Sequence, residues 1–231
     1  MNATLTKIKQ RGYWEVVIRP SRFVENLIEP LGDCKKTINE QAVQLRGWDY
    51  PHYDRQTPPI AGHDYVEQSV DWRVHIEVWR YYQSGQFVHF FAMREDWLEL
   101  DEYDRRLQIA PGSILWITNA IYSFTEVFEF ASRLASKGLL GDSCKVSIAL
   151  HGTQNRVLEF PQSGRLLLGT YRSGVNSITT EITATTTELM ARSADLALER
   201  AAWAFQRFNW DHIVPQALKE DQRQLLERRL L

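Results

Sequence analysis

The densest group of residues that could do chemistry lies in a loop interrupted by Pro51, Pro58 and Pro59. It contains imidazoles and carboxylates, and both are good ligands for divalent metal ions. Their spacing matches no metal-binding motif, so we expect these side chains to hydrogen-bond within their own loop and predict no bound metal. A metal-dependent hydrolase or nuclease that uses residues 49–64 is the alternative. The members of this loop cluster are Asp49, His52, Asp54, His63 and Asp64.

The stretch from Trp72 to Arg94 has the pattern of two β-strands joined by the tight turn Ser84-Gly85. Aromatic and β-branched residues occupy both faces, so we expect protein to cover each face and the hairpin to lie in the middle of a sheet. With Ser84 and Gly85 as the two turn residues, Arg80 pairs with His89 across the strands. Glu77 then falls on the opposite face.

Arg80 and His89 form a second candidate site in that register, with Gln83 beside the turn. An arginine next to a histidine could bind a phosphate or carboxylate, and it would lower the pKa of the histidine, which suits a base. We favour a structural role, in which Arg80 stacks on Tyr82 or pairs with a carboxylate such as Glu126 or Glu129 on a covering helix, because buried arginines usually have structural partners. A buried Glu77 must be paired or protonated, and we expect it to pair with Arg94 or His75 along the hairpin.

Composition narrows the function classes. A chain of 231 residues, 44% of them hydrophobic, can bury a core as one domain, and 27 basic against 29 acidic residues do not indicate nucleic-acid binding. Cys34 and Cys144 lack CxxC spacing, so we expect free thiols. The sequence shows neither a signal peptide nor a long apolar segment, which predicts a cytoplasmic protein without membrane contact. The motifs GxSxG, GxGxxG and GxxxxGK are absent from it.

Hydrophobic periodicity predicts the remaining elements. Two long amphipathic helices are expected at residues 114–134 and 187–208, and a terminal segment, 216–231, reads as a docking helix or a partner contact. A homodimer through the leucines of that segment is a further possibility, involving Leu225, Leu226 and Leu230. Shorter elements are a strand at 13–19, a helix that starts at Ser21 and stops at Pro30, a hairpin of 145–150 with 156–160, and strands at 165–171 and 177–184.

Four segments resemble a bacterial domain that occurs alone or after a Schlafen-type AlbA ATP-binding region. They are LRGWDYPH at 45–52, WRYYQSGQFVH at 79–89, YSFTEVFEFA at 122–131 and FNWDHIVPQALKEDQRQLL at 208–226. The resemblance spans most of the chain and implies a stand-alone copy of a module that elsewhere accompanies nucleotide-handling or regulatory domains. As such a module it would serve as a sensor, an adaptor or an oligomerisation unit. The resemblance assigns no catalytic residues.

These observations predict a single α+β domain over residues 1–231, with an antiparallel or mixed sheet around a central hairpin, covered by the two long helices. We expect a non-enzymatic sensor or protein-interaction module of a bacterial regulatory or defence system. It would bind a partner protein, a second copy or a small ligand such as an anion in an aromatic-lined cleft, without a cofactor. The candidate ligand-binding residues are Arg80, His89, Gln83, Trp48, Asp49 and His52.

Overall fold

The central hairpin lies inside a seven-stranded antiparallel sheet. The computed structural model describes residues 2–161, 165 and 167–228. Its strands are β1 (Tyr13–Pro20), β2 (Ile60–Ala61), β3 (Tyr65–Trp72), β4 (His75–Tyr82), β5 (Phe87–Ala92), β6 (Ile114–Trp116), β7 (Ser143–His151), β8 (Val157–Glu159) and β9 (Ser177–Thr185). Its helices are α1 (Ala3–Ile8), α2 (Gly32–Gln41), α3 (Ile117–Ser136), α4 (Thr186–Gln206) and α5 (Pro215–Leu226).

The order of strands in the sheet is β2-β3-β4-β5-β1-β7-β9. The hairpin β4–β5 therefore has β3 on one side and β1 on the other, which confirms its central position. β6 and β8 pair in parallel as a separate two-stranded ribbon. The predicted α+β class is confirmed.

The register of the hairpin differs by one residue from the predicted register. Trp79 pairs with His89 and Glu77 with Phe91, so the expected pairing of Arg80 with His89 is wrong. The cause is a three-residue loop: Tyr82 N–H donates to Gln86 O at 2.9 Å. The last residue of such a loop adopts the left-handed backbone conformation, and Gly85 does so with a φ of +80°. Because side chains alternate along a strand, this shift changes which residues share a face.

The two long helices cover one face of the sheet, as predicted. α3 and α4 pack against each other and against a core that includes Trp79, Phe87 and Ile148. The other face is only partly covered, because α1 packs its buried Ile8 near Val78 and leaves β7 and β9 open. The expectation that protein covers both faces thus holds for the hairpin and not for the far strands.

Several shorter predictions are wrong. No helix follows Ser21: Phe23 is 77% exposed, and the helix in this region is α2, which starts only at Gly32. The expected hairpin of 145–150 with 156–160 does not form, because β7 pairs with β1 and β9 while β8 pairs with β6. Residues 114–116 are a strand before α3 begins. The described residues between 165 and 171 form no strand, and the rest of that segment lies outside the described residues.

The terminal segment forms α5, which docks on its own chain. Leu218 and Leu225 are buried, whereas Leu226 is 39% exposed and Leu230 lies outside the described residues. Leu225 is therefore already used inside the protein and does not offer a free surface.

Across the described ranges, we find no helix with the length and apolar character needed to cross a bilayer.

Candidate functional site

A cleft of about 380 Å³ opens on the helix-covered side of the hairpin. Its walls come from β4 and β5, from the N-terminal half of α3, and from the segment 46–50 that runs across between them. Aromatic side chains alternate with ionisable ones around it. They include Trp14, Arg46, Trp48, Asp49, Tyr50, Trp72, His75, Glu77, His89, Phe91, Arg94, Asn119, Ser123 and Glu126.

Glu77 and His89 form the polar centre of the cleft. The observed register puts both on the same face, and Glu77 Oε2 lies 2.9 Å from His89 Nε2. Trp48 Nε1–H donates to Glu77 Oε1 at 2.7 Å, and the His52 backbone N–H donates to Oε2 at 3.2 Å. Burial raises the pKa of Glu77, but the contacts with His89, Trp48 and His52 outweigh it and hold this pKa below its ordinary value.

The segment that carries Trp48 is fixed to the sheet and to α3. Val43 and Tyr50 exchange backbone hydrogen bonds of 2.7 and 2.9 Å, which closes a short loop around residues 44–49. Trp79 Nε1–H donates to the His52 carbonyl at 2.8 Å, and Arg133 reaches the Ala42 carbonyl at 2.7 Å. The cleft is therefore largely preformed.

Three buried polar atoms of the cleft residues have no hydrogen-bond partner in the described part of the chain. They are Nδ1 of His89, a residue only 1% exposed, the hydroxyl of Tyr50, a residue 6% exposed, and Nε of Arg94. The His89 and Tyr50 rings are neighbours, with centroids 5.1 Å apart. Burial, together with the charges of Glu77 and Glu126, raises the pKa of Tyr50 well above its ordinary value, so this hydroxyl keeps its proton.

An ion pair between the partly exposed Arg46 and the buried Glu126 forms the helix wall. Arg46 Nη2–H donates to Glu126 Oε2 at 2.6 Å and its Nε–H to Oε1 at 3.0 Å, while Nη1–H donates to Asn119 at 2.7 Å. Burial raises the pKa of Glu126 more than Arg46 lowers it, and the negative charge of Glu77 raises it further. Because Glu126 accepts two hydrogen bonds from Arg46, the positive charge of this arginine already has a partner.

Stacked rings line the mouth of the cleft. The Trp48 indole stacks on His52 at 3.8 Å and on His75 at 4.0 Å, and it lies parallel to Trp72 at 5.7 Å. Trp72 is 52% exposed, so a flat apolar surface faces solvent at the entrance. Burial and the nearby charge of Arg94 lower the pKa of His75 to about 4, which keeps its imidazole neutral at pH 7.

The predicted loop cluster does not come together. Asp49 Oδ1 lies 2.7 Å from His52 Nδ1, but Asp54 accepts hydrogen bonds from Gln56 and Thr57 in its own turn. Burial lowers the pKa of His52, yet Asp49 outweighs it and raises this pKa above its ordinary value. Among the residues with described positions, no three His, Cys, Asp or Glu side chains converge as a metal site would require.

The other predicted residues divide between the cleft and the opposite face. Trp48, Asp49 and His89 line the cleft, and His52 flanks it. Arg80 points elsewhere: it pairs with Glu67 and lies over the Tyr65 ring at 5.0 Å.

Gln83 donates to the Ile28 carbonyl at 2.9 Å, so its role is structural.

Sequence reasoning missed the helix wall of the cleft. Asn119, Ser123 and Glu126 recur at intervals of four and three residues along an otherwise apolar helix, and this polar line was the signal available.

Comparison with family models, curated proteins and solved structures finds no match for this chain. The function must therefore be argued from the geometry of the site.

Proposed function

We propose that the protein is a sensor or interaction module that binds a small, uncharged, ring-bearing ligand in this cleft. One observation carries the proposal: His89 Nδ1 and the Tyr50 hydroxyl are buried at the wall of an aromatic cleft, and neither has a partner among the described residues. Buried polar atoms are almost always hydrogen-bonded, and leaving one unpaired costs about 1–3 kcal/mol. A ligand that supplies both partners recovers this cost on binding.

The charges of the cleft favour an uncharged ligand over the anionic one that the sequence suggested. Arg46 is neutralised by Glu126, and Arg94 is neutralised by Asp104 at 2.7 Å. An anion would have to compete with these carboxylates and would lie near Glu77. A neutral ring with one donor and one acceptor pairs with His89 Nδ1 and the Tyr50 hydroxyl without that competition.

The volume and lining also fit a small ring-bearing molecule. Ligand pockets in proteins are mostly apolar, with a few fixed polar groups, and range from about 300 to 1,000 Å³. At about 380 Å³, this cleft has room for a molecule the size of a nucleobase or nucleoside. The aromatic side chains in its lining, among them Trp14, Tyr50 and Phe91, supply apolar surface for such a ring.

The regulatory setting of the proposal comes from the resemblance to the domain that accompanies Schlafen-type AlbA regions. In that setting, ligand binding between the hairpin and α3 would be read out by a partner protein. A metal-dependent hydrolase is the weaker candidate, because Asp49 and His52 contact each other while Asp54 bonds within its own turn, and no third ligand joins them among the described residues.

A variant that fills the cleft tests the proposal. Gly47 lines the cleft, and a Cβ added there meets no heavy atom of the described residues within 4 Å, so Gly47→Trp adds an indole at small cost to the fold. The matched control is Gly174→Trp, at an exposed glycine outside the cleft that has equally open surroundings. Thermal unfolding is measured with a panel of uncharged nucleobases and nucleosides, and with the corresponding monophosphates as charged counterparts.

We expect at least one uncharged compound to raise Tm by roughly 5–10 °C at about 100 times its Kd. The shift should persist in Gly174→Trp and disappear in Gly47→Trp. Tyr50→Phe, which removes a hydroxyl without a partner, should weaken binding about tenfold without lowering the stability of the free protein. A panel without any stabilising compound, or undiminished binding by Gly47→Trp, would reject the proposal.

A further inference from the structure

A second chemical group lies on the open face of the sheet, away from the cleft. Ser177 Oγ is 3.1 Å from His151 Nδ1, and His151 Nε2 is 3.1 Å from Glu15 Oε2. The Tyr13 ring stacks on the imidazole with centroids 4.4 Å apart. A serine, a histidine and a carboxylate are thus connected in one line of hydrogen bonds.

One tautomer of His151 satisfies both contacts. When Nε2 carries the proton, it donates to the Glu15 carboxylate, and Nδ1 is free to accept the proton of the Ser177 hydroxyl. Glu15 then fixes the tautomer and the orientation of the ring. This is the order of roles in a nucleophile, base and carboxylate triad, which is recognised by geometry and not by sequence position.

The sheet holds the three side chains in register. His151 on β7 is the cross-strand partner of Ser177 on β9 and of Tyr13 on β1. Glu15 lies two residues after Tyr13 on β1, so three neighbouring strands supply the serine, the histidine and the carboxylate. Just beyond the strand ends, the buried pair of Asp96 and Arg156 binds the backbone of Gly12 and Gly152. A site on strands fixed in this way is more rigid than one on loops.

The group is accessible and borders a cavity. The His151 and Glu15 side chains are 27% and 36% exposed, and Ser177 is exposed. A shallow cavity of about 550 Å³ adjoins His151, and its lining also includes Gly152 and Asn176. A small substrate can therefore reach the serine from solvent.

We propose that Ser177 is a nucleophile that accepts acyl groups from small carboxylic esters, with His151 as its base and Glu15 as a positioning residue. Ser177 Oγ bonds to the ester carbonyl carbon as its proton moves to His151 Nδ1. The bond to the leaving alcohol then breaks, and that oxygen takes the proton from His151. Water, deprotonated by the same nitrogen, hydrolyses the acyl-serine to a carboxylic acid and restores the hydroxyl.

Asn176 precedes Ser177 in the sequence and lines the adjoining cavity, so its side-chain N–H is the donor that we assign to the oxyanion. This activity goes beyond ligand binding in the cleft and shares no residue with it. It also departs from the expectation of a non-enzymatic module.

Labelling with a fluorophosphonate probe tests the proposal, because the Ser177 oxygen displaces fluoride from phosphorus and leaves a stable adduct. Intact-mass and peptide measurements on the full chain should find one adduct, on Ser177. Ser177→Ala should abolish it. Ser147→Ala, which changes a serine on the same face of β7, should leave labelling unchanged.

Kinetics distinguish the roles of the two partners. His151→Gln should slow labelling by about 100-fold or more, the usual contribution of a general base. Glu15→Gln should lower the maximal labelling rate and leave the half-saturating probe concentration unchanged, whereas a loss of binding alone would change that concentration. An unlabelled Ser177 in the folded protein, or equal labelling of other serines, would overturn the proposal.

Discussion

At His75, the environment of the cleft opposes a positive charge. Burial and Arg94 lower the pKa of this imidazole to about 4, whereas in the unfolded chain it is about 6.5. Between these two values the unfolded chain binds a proton that the folded protein does not. The free energy of unfolding should therefore fall as the pH drops from about 6.5 towards 4.

The variant His75→Gln isolates this effect. Urea unfolding at pH 7 and pH 5 should give the wild-type protein a loss of stability about 1–2 kcal/mol larger than the variant shows. The control is His63→Gln, at an exposed histidine outside the cleft, which should behave as wild type. Equal losses in wild type and His75→Gln would contradict the neutral, buried state of His75.

Only some of the residues that line the cleft could be predicted from the sequence. Trp48, Asp49 and His89 stood out as polar or aromatic residues in a long loop or a hairpin, and they do line the cleft. The contact between Glu77 and His89 could not be foreseen, because it depends on a register that differs by one residue from the expected one. The triad could not be foreseen either, since its members come from three strands that are distant in sequence.

Among the elements, the hairpin depends most on one residue. Gly85 has a φ of +80°, and a Cβ there would lie 2.6 Å from the Leu139 carbonyl oxygen. We expect Gly85→Ala to destabilise the protein by about 1–3 kcal/mol, through both backbone strain and this close contact. Thermal unfolding measures the effect. Gly174→Ala, at a glycine with open surroundings, should cost less than about 1 kcal/mol, and similar losses in both variants would refute this account.

Elements with a strong period could be predicted, and pairings between distant elements could not. The alternation of Tyr13–Pro20 and the wide apolar stripes of α3 and α4 identified a strand and two helices. The partners of β7 were missed because it pairs with β1 and β9, while a turn signal suggested its neighbour in sequence. The loop length in the central hairpin was also ambiguous, since a glycine suits both two-residue and three-residue turns.

For the whole molecule, truncations in α5 test whether this helix docks on its own chain or joins two copies. Leu225 is fully buried and Leu226 is 39% exposed, so their truncations should differ. Leu225→Ala should lower the free energy of unfolding by about 2–4 kcal/mol and Leu226→Ala by less than about 1 kcal/mol.

Light scattering on both variants completes the comparison. We expect Leu226→Ala to keep the mass of the wild-type particle. A halved mass would instead show that this helix joins two copies, as the leucine pattern also allowed.

The sheet topology imposes an order on biosynthesis. β1 ends at Pro20, yet its two neighbours begin only at Phe87 and Ser143. At about 5–20 residues per second, a ribosome takes on the order of ten seconds to deliver the second neighbour. During that interval the backbone N–H and C=O groups along the edges of β1 lack their partner strands, so the sheet cannot be completed until the second half of the chain has been made. Chaperones can protect the exposed edge during this time.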